Sequence, residues 1–244
     1  MLPKIDVPIF NVKLLSNGKS LSFRPFTVKE EKLFLMANES EDLNSVVDTI
    51  KQILNNCVLD EIDIESLPLF DIEHLFLNIR ARSIGEVVNL KYKCNNSIAK
   101  EEGEEEKKCG NLVEIDLNIL EIEPEKQDGH STKIEITENM GIVMKYPNFE
   151  TLKTFDIENE ADSIIKTTID CIDYIYDKEQ IYYAKDTTQE ELIEFVESMQ
   201  AKDLEKIKLF FDTMPRMKKD IEFKCNKCGH EETIELEGIQ NFFV

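Results

Sequence analysis

Apolar and polar residues alternate at the start of the chain. Residues 7–15 read as an extended run, Ser16-Asn17-Gly18-Lys19 as a turn, and residues 20–26 as a second run. Asn-Gly between alternating runs predicts a β-hairpin, because a tight turn needs backbone angles those residues accept. Thr27-Val28-Lys29-Glu30 has the capping-box form, a hydroxyl at the cap and a glutamate after it, so a helix starts there. The period then changes. Val46, Val47, Ile50, Ile53 and Leu54 recur at helical spacing and predict a helix over residues 44–59. Residues 71–82 form a further helical region. The stretch 67–77, LPLFDIEHLFL, is more apolar than a surface needs.

The same order then recurs. Residues 132–137, the turn Glu138-Asn139-Met140-Gly141 and residues 142–146 predict a second hairpin. Pro25 follows the first hairpin and Pro147 the second, and a helical start follows each, more loosely at Asn148-Phe149-Glu150-Thr151. Ala161, Ile164, Ile165, Ile169, Ile172 and Ile175 predict a long helix over residues 156–176, with two more at 189–200 and 201–213. Each half closes with a strand, two cysteines and a strand, over residues 86–117 and 219–236. The expected fold is α+β, in two pseudo-repeated halves at 1–118 and 132–244, joined by a polar linker at 119–131. The repeat is one of pattern, and any α+β chain has hairpins and helices in some order. The proline after each hairpin and the Cys-Gly in each closing segment favour duplication.

The cysteines sharpen this picture. Cys57 and Cys171 sit singly in apolar, helix-patterned stretches and read as small core residues. Cys94 and Cys109, and Cys225 and Cys228, are framed alike: aromatic-Lys-Cys (YKC and FKC), then Cys-Gly, then a strand alternating apolar and acidic residues. Four thiolates in two knuckles suit a tetrahedral Zn2+ held in the manner of a zinc ribbon. A full set of Cys ligands leaves no open position, so the expectation is one structural zinc per chain that ties the halves together. Between Cys94 and Cys109, residues 95–108 contain EEGEEE and read as a solvated loop. The alternatives are disulfides, or free thiols with no metal. Nothing in the chain suggests export, which disulfides would need.

Composition bounds the function. The 244 residues are 41% apolar, enough for a real core, without a stretch that would span a membrane or a recognisable signal peptide. Fifty acids against 29 bases give a net charge of −21. A nucleic-acid surface needs clustered Lys and Arg, and the best local cluster, MPRMKKD at 214–220, is short. The charge reads as solubility before assembly, or as an acidic face for a basic partner. His74 falls on a helix, His130 in the linker, and His230 just after a knuckle, beside the ligands or exposed. The chain shows no phosphate loop, metalloprotease helix or nucleophile elbow, and its acids are too abundant to single out a pair. It reads as a non-enzyme with no small-molecule substrate. Its apolar end, EGIQNFFV at 237–244, would pack back on its own domain or dock into a neighbour.

Three stretches together, RPFTVKEEKLFLMA, LPLFDIEHLFLNIRARSIGEVVNLKYKC and EFKCNKCGHEETIELEGIQNFF, resemble the baseplate hub proteins of T4-type contractile-tailed bacteriophages. The resemblance covers nearly the whole chain and is most specific at residues 70–86 and 236–243. These residues carry no chemistry, so they point to a family and not to a reaction. The resemblance implies a structural component of the virion's tail baseplate hub, assembled in the host cytoplasm and contacting other hub and wedge proteins. A hub-assembly chaperone absent from the mature virion is left open. The knuckles taken alone would suggest a zinc-ribbon factor associated with nucleic acid. The metal expectation rests on the four cysteines of this sequence.

Overall fold

The Asn-Gly turn closes a hairpin. β1 (Phe10–Lys13) and β2 (Ser20–Phe23) pair antiparallel, Phe10 opposite Phe23 and Lys13 opposite Ser20. Gly18 turns the chain at a φ of +69°, a conformation that favours glycine. Alternation sends Val12, Leu14, Leu21 and Phe23 to one buried face. This computed structural model describes residues 5–39, 43–98, 107–154 and 160–238.

The glutamate half of the capping box is formed, with Glu30 reaching back to Thr27. Before α1 (Val28–Glu39), the Thr27 backbone N–H and hydroxyl donate to the Glu30 carboxylate at 2.8 and 2.5 Å, and Arg24 donates to it at 3.1 Å. Glu30 is only 3% exposed. Burial opposes its charge, but the Thr27 hydrogen bonds and Arg24 outweigh it and hold the carboxyl at about 2. The stripe of α2 (Leu43–Cys57) buries Ile50, Ile53, Leu54 and Cys57 against the hairpin. Val58, just beyond, bridges antiparallel to Phe23.

The apolar excess at residues 67–77 belongs to α3 (Leu69–Ser83), which is buried on more than one side. Ile72, Leu75, Phe76 and Ile79 face the first core, while Leu77 and Ala81 face another. Phe70 meets Tyr146 edge-on at 5.1 Å. The buried Asp71 carboxylate accepts from the Leu15 N–H at 2.8 Å and the Ser16 N–H at 3.3 Å, pinning the hairpin to the helix.

β3 (Val87–Lys93) pairs antiparallel with β6 (Leu112–Asn118), and between them β4 (Ser97–Ile98) pairs with β5 (Lys107–Lys108). Residues 119–131 are less of a tether than their polarity suggests. They hold a 3-10 turn at Ile119–Glu121, buried Ile119, Ile122 and His130, and β7 (Pro124–Glu125).

The second hairpin is β8 (Lys133–Thr137) and β9 (Met140–Met144). Gly141, expected in the turn, lies in β9 with Tyr176 packed on it. α4 (Phe149–Thr154) and α5 (Glu160–Asp170) follow. The helix expected to run to Tyr176 ends at Asp170, and β10 (Ile172–Tyr176) pairs with β9. A register shift between Ile172 and Tyr174 explains the misreading. The extra residue of a bulge lets Ile172 and Ile175, three apart, both be buried, imitating a helical period.

β11 (Ile181–Tyr183) completes a sheet in the order β11-β10-β9-β8. α6 (Gln189–Glu197) starts on a full Thr188–Glu191 capping box, and α7 (Ala201–Thr213) covers the second core through Ile207 and Phe210. In the stretch Leu209-Phe210-Phe211, Phe210 is buried whereas Leu209 is 60% exposed. β12 (Arg216–Lys224) lies between β13 (Glu231–Glu237) and β7. The fold is α+β. A central core joins α3, β3, β6 and β12 through Leu77, Val88, Leu117, Met217 and Ile221.

Candidate metal centre

The β3–β6 and β12–β13 ribbons each end in a cysteine knuckle closed by backbone hydrogen bonds. The Cys94 N–H donates to Asn111 O at 2.8 Å and the Gly110 N–H to Cys94 O at 3.0 Å. In the other knuckle the Cys225 N–H donates to His230 O at 2.8 Å and the Gly229 N–H to Cys225 O at 2.8 Å. Gly110 and Gly229 both adopt positive φ, 64° and 74°. The knuckles therefore share one closing pattern despite their different lengths. The first opens between Asn96 and Cys109 to admit the β4–β5 hairpin, whose base is closed by the Cys109 N–H on Asn96 O at 2.8 Å. Residues 99–106, within the expected acidic loop, lie outside the described residues.

The structure brings all four candidate ligands together, with the sulfurs of Cys94, Cys109, Cys225 and Cys228 within 4.8 Å of one another. Cys94 and Cys228 Sγ are 3.7 Å apart, and Cys109 and Cys225 Sγ 3.8 Å. A tetrahedron with metal–sulfur bonds of about 2.3 Å has an edge of about 3.8 Å. A disulfide needs about 2.05 Å, and the cysteines are free thiols. Cys94, Cys109 and Cys225 are buried and Cys228 is partly so. The cluster could hold one metal ion.

Backbone N–H groups aim at each sulfur, but the balance differs between knuckles. The Cys228 N–H, with that of Lys227, outweighs burial and draws the Cys225 thiol down to about 6. The His230 N–H lowers Cys228 in the same way. The Asn96 N–H also pulls on Cys94, but burial and the surrounding thiols outweigh it and push that thiol up to about 12. Cys109 is likewise raised, its Asn111 N–H outweighed by burial and its neighbours. Metal binding requires thiolates, so uptake here would release protons.

Contacts beneath the sulfurs cross between the ribbons. Tyr92 and Phe223, the aromatic residues two before Cys94 and Cys225, pack at 4.7 Å, and the Tyr92 hydroxyl donates to Glu232 at 3.2 Å. The Lys227 ammonium reaches Cys109 O at 3.3 Å. The basic cluster at 214–220 is partly spent on β13: Arg216 pairs with Glu237 at 2.8 Å and Lys218 with Glu235 at 2.5 Å.

The histidines stand apart from the four sulfurs, except that the His230 N–H serves Cys228 while its ring lies 3.7 Å from the Glu232 carboxylate. His74 is partly buried, and burial lowers its pKa. His130 forms a site the sequence did not reveal. It is 8% exposed, with Nδ1 at 2.9 Å from the Thr213 hydroxyl and Nε2 at 3.0 Å from the Tyr146 hydroxyl, and Phe210 packs beside it. Nothing in its polar local sequence signals those distant partners. Cys57 and Cys171 are buried in the first and second cores, as their spacing predicts. Residues 239–244 of the apolar end lie outside the described residues.

The family described as T4 bacteriophage base plate protein matches residues 7–244. No curated protein and no solved structure matches the chain.

Proposed function

We propose a role for this chain from the family to which it belongs, that of the T4 bacteriophage base plate protein. As a member it is a structural protein of the phage tail baseplate, acting through contacts with other baseplate components and not by catalysis. Its place is the hub, where it touches hub and wedge subunits after assembly in the host cytoplasm. The observation that carries this reading is the extent of the match, 7–244, which takes in both knuckles and both hairpins.

One zinc ion on Cys94, Cys109, Cys225 and Cys228 locks the halves of the chain. The sulfur spacings of 3.7 and 3.8 Å support this. We take the halves to be residues 1–118 and 132–244, linked by 119–131. Two correspondences favour their common origin. Each hairpin is followed by helices that end at or one residue before a buried cysteine whose carbonyl accepts from the residue after the hairpin: Arg24 N–H to Cys57 O at 2.9 Å, Lys145 N–H to Cys171 O at 2.8 Å. Each half then ends on a knuckle with the same closing bonds. β11 is an addition without a named counterpart in the first half.

Mass spectrometry of purified tails tests the role. The chain is expected in the particle, cross-linked to hub subunits. Its absence from particles, with retention on unassembled hub intermediates, would replace this reading by that of a hub-assembly chaperone. Elemental analysis of protein prepared without chelator is expected to give one zinc per chain. Finding none would remove the metal.

A further inference from the structure

The backbone N–H of the residue two beyond each cysteine favours that cysteine's thiolate: Asn96 for Cys94, Asn111 for Cys109, Lys227 for Cys225 and His230 for Cys228. In the first knuckle these residues are asparagines, and their side chains go elsewhere. Asn96 Nδ2 donates to Cys228 Sγ at 3.7 Å and Asn111 Nδ2 to Cys225 Sγ at 3.6 Å. Both acceptors belong to the opposite knuckle. Asn111 Nδ2 also donates to Asn226 Oδ1 at 2.7 Å, which fixes the orientation of its amide. The second knuckle does not reciprocate: Lys227 reaches a backbone carbonyl, and His230 faces Glu232.

We infer that Asn96 and Asn111 are positioning residues of the metal centre, whose side-chain amides hold the sulfurs of the opposite knuckle in place for a divalent ion. The inference rests on the metal reading above. A divalent ion with four thiolates carries a net charge of −2, and in a buried site such charge needs hydrogen-bond donors. Each asparagine side chain supplies one donor across to the opposite knuckle, Asn96 to Cys228 and Asn111 to Cys225, so it holds a sulfur of the ribbon it faces. Sequence separations of 132 and 114 residues make these bonds tertiary, so they form only when the ribbons meet.

The test compares Asn96→Ala, Asn111→Ala and Asn226→Ala in the full chain loaded with Zn2+ or Co2+. Loss of either sulfur donor is expected to speed zinc release to a chelator about 10-fold. It should also move the sulfur-to-cobalt charge-transfer band to lower energy. Asn226→Ala breaks the 2.7 Å bond that orients the Asn111 amide but removes no donor to sulfur, so its shift should be smaller than that of Asn111→Ala. Asn96→Asp and Asn111→Asp keep the shape but turn a carboxylate toward a thiolate, and release should be faster still. Unchanged band energies and release rates in the asparagine variants, with metal bound to the wild type, would overturn the assignment alone. A wild type that takes up no metal would overturn the metal reading and the assignment with it.

Discussion

The contact between the β3–β6 and β12–β13 ribbons is built in two ways along its length. At its base Leu77 and Ala81 of α3 meet Val88, Leu90, Leu117, Met217 and Ile221 of the ribbons in a buried apolar layer. At its tip, among the described residues, Val113 and Cys228 pack against the cluster of Cys94, Cys109 and Cys225, above the Tyr92–Phe223 contact. The base has a helix to pack on, whereas the tip is two ribbon ends with one aromatic pair, Tyr92 and Phe223, beneath the sulfurs. Apolar burial gives about 25 cal/mol per Å2, so a small contact yields little by that route. Coordination does not scale with area, and a structural metal can supply about 10 kcal/mol or more. The same contact is thus held by area where a helix is available and, in the reading proposed above, by metal-bound sulfur where it is not.

The largest expected effect attacks the tip. Cys225→Ser should abolish metal binding and cost about 4–5 kcal/mol or more. For a chain of this size that lowers Tm by about 10–20 °C. Calorimetry with and without chelator checks it: chelator should bring the wild type close to the variant and leave the variant unmoved. A variant as stable as wild type would show that the tip is held without metal.

Leu77→Ala attacks the base instead, and a fully buried leucine there should cost about 2–5 kcal/mol. Metal content should stay at the wild-type level. If zinc were lost as well, base and tip would be one unit and the contrast would fail.

Two variants away from the joint give the baseline. A Cβ at Gly141 would come within 2.5 Å of the Ile134 carbonyl and also meet Tyr176, so the strands must shift. Gly141→Ala should cost about 1–3 kcal/mol, read by denaturant unfolding, with metal content untouched. Glu30→Gln should cost about 1–3 kcal/mol at neutral pH. The Glu30 carboxyl has a lower pKa folded, about 2, than its ordinary 4.5. Its contribution is therefore complete above about 4.5 and is lost as pH falls toward 2. The gap between wild type and variant should close over that interval, and a gap independent of pH would count against the ionised cap.

Local rules were the legible ones. The Asn-Gly hairpin, the Glu30 side chain on the Thr27 N–H, α6 and α7 each follow from a few adjacent residues, and the structure shows them; it also brings the four knuckle cysteines together. What stayed hidden depends on partners far along the chain. The bulge at Ile172 made a strand look helical. Residues 119–131 looked like a polar tether because β7 is paired by Arg216 and Met217, and His130 by Thr213 and Tyr146. The contacts of Asn96 and Asn111 also stayed hidden, since their sulfur acceptors lie in the other knuckle.

The interrupted first knuckle offers a practical opening for imaging. Its ends are fixed by bonds that do not involve the insert, Gly110 to Cys94 and Cys109 to Asn96, with Ser97 paired to Lys108 as a two-stranded stem. A small protein label spliced between Ile98 and Lys107 would sit on that stem and leave the sulfurs in register. A second label on β11, at the edge of the β11-β10-β9-β8 sheet, would then give two fixed landmarks from which the polarity of the chain inside a tail could be read by electron microscopy.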